Sequence, residues 1–194
     1  LVYWDGDSGR YIYGPPALNV SDLDNEMPGG QWEKLSMEKY RAHQWHADLG
    51  TLPRQPYASL YTSYGCVFRC QFCMIQAPFV AGDQLILKGK ANSYRTYSAD
   101  TVIKEIETLV EKYGVRNIRF NDEMYALKPS HVHAVSDKII ERSYGDFLNA
   151  WAYARVDTCR PEFLDKMRKA GVRWLCLGIE SASDSVRDGI SKSE

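Results

Sequence analysis

The sequence predicts an α/β fold, a parallel sheet laid down by about four βα units and reached through an irregular N-terminal connector. Three observations predict it. From residue 57 onward, strand-like and helix-like segments alternate at roughly thirty-residue spacing, the length of a strand with its right-handed crossover. Hydrophobic residues make up 44% and charged residues 25% of the 194 positions, a globular balance that excludes disordered, fibrous or collagen-like chains. Polar residues gather where the strand-like runs end, at Tyr64–Gly65, Asn121–Glu123, Arg155–Asp157 and Glu180–Ser181, and in parallel α/β architectures those carboxyl ends bind the ligand.

Residues 1–56 read as a connector packed on a neighbour, broken by Gly6, Gly9, Gly14, Pro15, Pro16, Pro28 and Pro53 with Trp4, Trp32 and Trp45 between them. A helix over Ser36 to Ala47 is the one regular element expected there, with Met37, Tyr40 and Trp45 on its apolar face. YASLYTSY, residues 57–64, is rich in aromatic residues and ends at Gly65, as a first strand does. Ser98 is the N-cap of a helix carrying Val102, Ile106, Leu109, Val110 and Tyr113, and Gly114 stops it. Residues 115–121 form a second strand. Pro129 opens a second helix with Val132, Val135 and Ile139 on one face. Residues 149–156 give a third strand, Pro161 to Gly171 a third helix, and residues 172–179 a fourth strand, with another helix starting near Ser183.

Lys and Arg number 24 against 25 Asp and Glu, for a net charge of −1, and no run of like charge forms a basic arm or acidic tail. The expected partners therefore include no nucleic acid and no membrane. No apolar run approaches the ~20 residues of a spanning helix, and LVYWDGDSGR lacks a basic-then-apolar leader, so a cytoplasmic chain is expected. The opening Leu1, and an end just after a strand-like run, are expected of a piece cut from a longer chain.

Five cysteines stand at positions 66, 70, 73, 159 and 176, an odd number with three crowded together, which is no disulfide framework. Cys66, Cys70 and Cys73 form CxxxCxxC on the loop leaving the first strand. Thiolates at that spacing converge on one cuboidal iron-sulfur cluster without closing a long loop, and three of them leave one iron of a four-iron cluster without a protein ligand. An iron left open can chelate an exogenous molecule. The competing reading is a zinc ion held by the same cysteines and one of His43, His46, His131 or His133 in a non-catalytic binding module. Cys159 and Cys176 read as small buried hydrophobes.

CxxxCxxC with Phe72 before its last cysteine, after the first strand of a βα chain, resembles the radical S-adenosylmethionine (radical SAM) superfamily. The resemblance covers residues 57–190. It implies a partial (β/α) barrel and an enzyme in which Cys66, Cys70 and Cys73 ligate a [4Fe-4S] cluster whose open iron binds S-adenosylmethionine. Reductive cleavage then yields methionine and a 5′-deoxyadenosyl radical. Further cofactor contacts are implied for the Phe72 backbone against adenine and for Asp122 and Glu123 toward the methionine ammonium. In the fourth-strand pattern GIESAS, Glu180 and Ser181 are implied at the ribose or methionine. The resemblance assigns no catalytic residue. Arg155 has two roles open to it, a bidentate contact with the cofactor carboxylate or a salt bridge to Asp157 or Glu180. Asp122 and Glu123 also have an alternative as an acidic pair at a helix N-terminus.

The glycines common near that acidic motif are absent. The form Asp122, Glu123, Tyr125 is similar to the variant of radical SAM proteins that carry a cobalamin-binding domain or transfer methylthio groups. On that reading residues 1–56 are the linker following such a domain upstream, and residues 57–194 are the N-terminal part of the radical core. The motif DxHxxG of that domain does not occur here. The resemblance also implies a small-molecule substrate and an electron donor such as flavodoxin or ferredoxin.

Overall fold

Residues 2–14, 20–27, 29–47, 51–68, 70, 72–75, 80–81, 84–85 and 94–189 are described by the structure, a computed structural model. Where irregular chain was expected, the N-terminus forms an antiparallel hairpin of β1 (Val2–Asp5) and β2 (Arg10–Tyr13). Aromatic and β-branched residues give both arms strand character, and the Asp5 carboxylate accepts from the Asp7 and Ser8 amides to close the turn. A short α1 (Leu23–Glu26) follows, capped by Asp22, whose side chain accepts from the Asn25 amide. The helix expected over Ser36 to Ala47 is replaced by a single 3-10 turn, Met37–Lys39, and a second turn after it. Met37 is buried while Tyr40 is exposed, so these residues offer no continuous apolar face to hold a helix.

The expected first strand divides into β3 (Tyr57–Leu60) and β4 (Ser63–Tyr64). After the cysteine loop come the short pair β5 (Val80–Ala81) and β6 (Gln84–Leu85), then β7 (Arg95–Thr96), which pairs antiparallel with β4. Ser98 caps α2 (Ala99–Glu107) by accepting from the Thr101 amide, and the helix continues as a π turn over Thr108–Lys112. It stops at Gly114, whose φ of 66° suits glycine. β8 (Asn117–Phe120), α3 (Pro129–Glu141), β9 (Asn149–Ala154), α4 (Pro161–Lys169), β10 (Val172–Leu177) and α5 (Asp184–Gly189) complete the predicted alternation.

β10, β9, β8 and β3 lie side by side in that order, and all neighbours are parallel. Among the described residues the sheet does not close into a barrel. Side chains alternate across it. Ala58, Leu60, Ile118, Phe120, Ala150, Ala152 and Ala154 face the helices and join Val102, Ile106, Val132, Val135, Ile139, Phe163 and Met167 in the core. Each large aliphatic or aromatic side chain buried there contributes about 1.5–3 kcal/mol. α3 packs between α2 and α4, tied by Lys138 to Asp100 at 2.9 Å and by Lys166 to Asp137 at 2.8 Å.

The connector is fastened to the core. The Trp32 indole N–H donates to Glu105 Oε2 at 2.6 Å, the Ser98 amide to Asp24, and the Tyr97 hydroxyl to the Met27 carbonyl. Gly145 sits where a Cβ would lie 1.8 Å from the Lys169 carbonyl oxygen at the end of α4. Gly145→Ala is therefore expected to cost about 2–3 kcal/mol, because backbone rather than a flexible side chain has to yield. A melting temperature matching the unsubstituted chain would contradict it.

Candidate cofactor site

Four strand ends converge on the site. β3 runs through Thr62 and Ser63 into Gly65, whose φ of 89° turns the chain into the cysteine loop. Cys66, Cys70 and Cys73 then line a single cavity of about 420 Å³, and the Cys73 amide donates to the Cys70 carbonyl to tighten the loop. The far wall is Glu123 beyond β8, Tyr153 and Arg155 at the end of β9, and Cys176 and Glu180 at β10 and beyond. Phe72, half exposed, and Phe68 add apolar surface. Residues distant in sequence are thus brought to one place.

Burial pushes the Cys66 thiol above the ordinary range, and the neighbouring Cys73, Cys70 and Glu123 push it further, against the Phe68 amide, which favours the thiolate. Such a group becomes a thiolate when a bound cation offsets these costs. Arg155 stands beside it. Its guanidinium lies 3.7 Å from the Phe68 ring centre, its Nη1 is 3.9 Å from Cys70 Sγ, and both oxygens of Asp157 accept from it, at 2.9 and 2.6 Å. Asp157, one of the partners open to Arg155, is in place.

The acidic pair is split. Glu123 lines the cavity, with its Oε2 accepting from the Gly65 amide at 3.1 Å. Asp122 is fully buried and turned the other way, accepting from the Thr62 amide at 2.7 Å and from the Thr62 and Ser63 hydroxyls at 2.6 Å each. Burial pushes its carboxyl up to about 6 in spite of those three donors, and His131, 3.0 Å from the Thr62 hydroxyl, is pushed down to about 4 by the same burial. Asp122 thus pins β4 to the end of β8. Glu180 adopts φ 67° and borders both this cavity and an adjoining one of about 480 Å³. Ser181 lies off both walls, its Oγ accepting from the Ser183 amide.

Three residues here escaped the sequence reading. Cys176 is exposed on the cavity wall rather than buried, because β10 turns its Trp174 and Cys176 side to the open face. Cys159 is half-buried against the core, as a small hydrophobe. Arg119 and Tyr153 belong to the same open face, and the alternation of residues 117–120 was the available signal for Arg119.

The donor set suits a cluster better than one ion. Thiolates around a single zinc stand about 3.8 Å apart. Among the described residues no three His, Cys, Asp or Glu side chains are gathered to hold one metal ion, whereas the three cysteines border a cavity wide enough for a cuboidal group. Nor does a histidine line the cavity. His46 Nε2 bonds the Asn149 carbonyl at 2.7 Å, and His131 faces Thr62.

The family model of the radical SAM superfamily matches residues 60–193, from the end of β3 past α5. The chain belongs to the radical SAM superfamily. It is 28% identical over 186 residues to an uncharacterized methyltransferase of Pyrococcus horikoshii, covering 96% of this chain and 35% of that protein. Against the tryptophan 2-C-methyltransferase of Streptomyces laurentii it is 25% identical over 137 residues, covering 68% of this chain and 21% of the relative. The radical SAM chain thus spans about a third or less of these curated relatives. Among solved structures, the cobalamin-dependent radical enzyme OxsB with aqua-cobalamin and S-adenosylmethionine bound matches with a TM-score of 0.63 at 16% identity, over 98% of this chain and 25% of that one. The methyltransferase TsrM of Kitasatospora setae, with cobalamin and a [4Fe-4S] cluster bound, matches at 0.57 and 18%, over 84% and 30%. Both likenesses are of fold. No helix among the described residues is long and apolar enough to cross a membrane.

Proposed function

We propose that this chain is the S-adenosylmethionine-cleaving core of a radical enzyme acting on a small-molecule substrate. The observation that carries the reading is the meeting of Cys66, Cys70, Cys73 and Glu123 around one cavity at the carboxyl ends of parallel strands. The three cysteines are the residues that would hold a [4Fe-4S] cluster. Such a cluster, bound there and reduced, would supply the electron for reductive cleavage of S-adenosylmethionine.

The chain's own residues bind and orient. Glu123, held by the Gly65 amide, offers a carboxylate to the methionine ammonium, a charge-assisted contact that partial burial strengthens. Phe72 and Glu180 border the cavity, where the Phe72 backbone would lie against adenine and Glu180, together with Ser181, would serve the ribose or methionine. Asp122 acts through β4, keeping the start of the cysteine loop in place. Arg155, braced by Phe68 and Asp157, sets positive charge beside the Cys70 sulfur on the cavity wall.

The names of the relatives extend the reading to cobalamin-assisted methyl transfer. Residues 1–56 would then follow a cobalamin-binding domain, and residues 57–194 would be the first part of the radical core. A cytoplasmic setting and an electron donor such as flavodoxin or ferredoxin complete the proposal.

The test is anaerobic. After iron and sulfide reconstitution and reduction, adding S-adenosylmethionine is expected to change the paramagnetic resonance of the reduced cluster and to release methionine. The resonance reports binding even where turnover is slow. A reduced cluster indifferent to S-adenosylmethionine, with no methionine formed, would defeat the reading.

A further inference from the structure

We infer that the open face of the sheet is a binding chamber for a flat aromatic molecule carrying an oxyanion, with Arg119 receiving the anion on a platform of Trp151 and Tyr153. This deepens the proposed function, since it rests on the cavity being the reaction chamber and names the class of molecule admitted.

The register defines the chamber. Ser59, Arg119, Trp151 and Trp174 stand opposite one another across β3, β8, β9 and β10, so their side chains share one row on the face turned away from the helices. Two residues further along lies the next row, where Tyr153 faces Cys176 and both line the cysteine cavity. Arg119 therefore sits one layer beneath the cavity. Below it the connector supplies a floor, with Trp45 5.1 Å from Trp151 and 5.9 Å from Trp174, ring centre to ring centre.

The Arg119 guanidinium is held in place by aromatic rings. Its guanidinium carbon lies 4.7 Å from the Trp151 ring centre and 5.1 Å from that of Tyr153, and its Nη2 donates to the Tyr153 hydroxyl. No carboxylate pairs with it among the described residues. Its Nε is buried without an acceptor. Buried donors are nearly always satisfied and buried charges paired, so an orphan N–H on an uncompensated cation marks a place for a ligand oxygen.

Packing alone would explain the stacking but not the missing acceptor. The guanidinium edge is a planar fork that fits a carboxylate or phosphate, and the aromatic walls, including the 38% exposed Trp174, favour a flat ring over an aliphatic body.

Calorimetric titration of the chain without cluster tests this, with naphthoate as probe. Naphthalenemethanol lacks the charge, cyclohexanecarboxylate lacks the ring, and naphthyl phosphate separates the two oxyanions. Naphthoate or naphthyl phosphate is expected to bind about tenfold or more tightly than the neutral alcohol, and naphthoate more tightly than cyclohexanecarboxylate. Arg119→Gln should remove the preference for charge, and Arg119→Lys, which keeps the charge but loses the fork, should weaken binding about tenfold. Charged and neutral probes binding alike, or a folded Arg119→Lys binding as the unsubstituted chain does, would overturn the inference. Because no cluster is involved, that failure would leave the response to S-adenosylmethionine intact.

Discussion

Replacing Cys66, Cys70 or Cys73 singly by alanine is expected to abolish iron uptake. Reconstituted anaerobically, the unsubstituted chain should hold about four irons, and each variant less than about one, because a cluster with three protein thiolates has none to spare. All three line the same cavity, so each removes a ligand from one centre. The matched controls are Cys159→Ala and Cys176→Ala. Cys159 packs half-buried on the core, where its loss costs on the order of 1 kcal/mol in stability and no iron. Cys176 is the sharper control, since its side chain borders the cavity and a dependence on any nearby thiol would appear there. Full iron in Cys70→Ala, with native circular dichroism, would end the assignment.

The βα order was legible because its signals are local: Ser98 caps, Pro129 and Pro161 open helices, Gly114 and Gly171 end them, and each acts within a turn of itself. The cysteine trio was legible for the same reason. Its spacing lies within one loop, and the resemblance it carried led to the family that matches residues 60–193. What stayed hidden depends on long-range register. Cys176 reads as core in a run of apolar residues, yet the pairing of β10 with β9 sets it on the open face beside Tyr153. Asp122 and Glu123 are adjacent in sequence yet meet opposite environments, Asp122 buried against Thr62 and Ser63 and Glu123 on the cavity wall, and only the turn that follows β8 decides which of them reaches the cavity. The hairpin of residues 2–13 was passed over because its glycines were read as breaking structure when they close a turn.

Asp122 and His131 are expected to hold stability nearly level across mildly acidic pH by opposing one another. The folded chain raises the Asp122 carboxyl to about 6 from 3.8, chiefly by burial, so it binds that proton more tightly than the unfolded chain does. Its contribution is fully present below about pH 4 and is lost as pH rises through about 6. Burial lowers His131 to about 4 from 6.5, so its contribution is present above about pH 6.5 and is lost as pH falls through about 4. Each shift of about two units corresponds to about 3 kcal/mol, and over the shared window the slopes have opposite sign. Asp122→Asn should therefore lose stability as pH falls from about 6.5 to 4, and His131→Gln should gain it over nearly the same range. Urea midpoints, read as differences from the unsubstituted chain so that other carboxylates cancel, measure both. Asp122→Ala should be lower at every pH, by about 3 kcal/mol at neutrality, because the Thr62 amide and the Thr62 and Ser63 hydroxyls lose their acceptor. Parallel curves for the three variants would mean that neither proton is coupled to folding, and the strut between β4 and β8 would then be an ordinary contact.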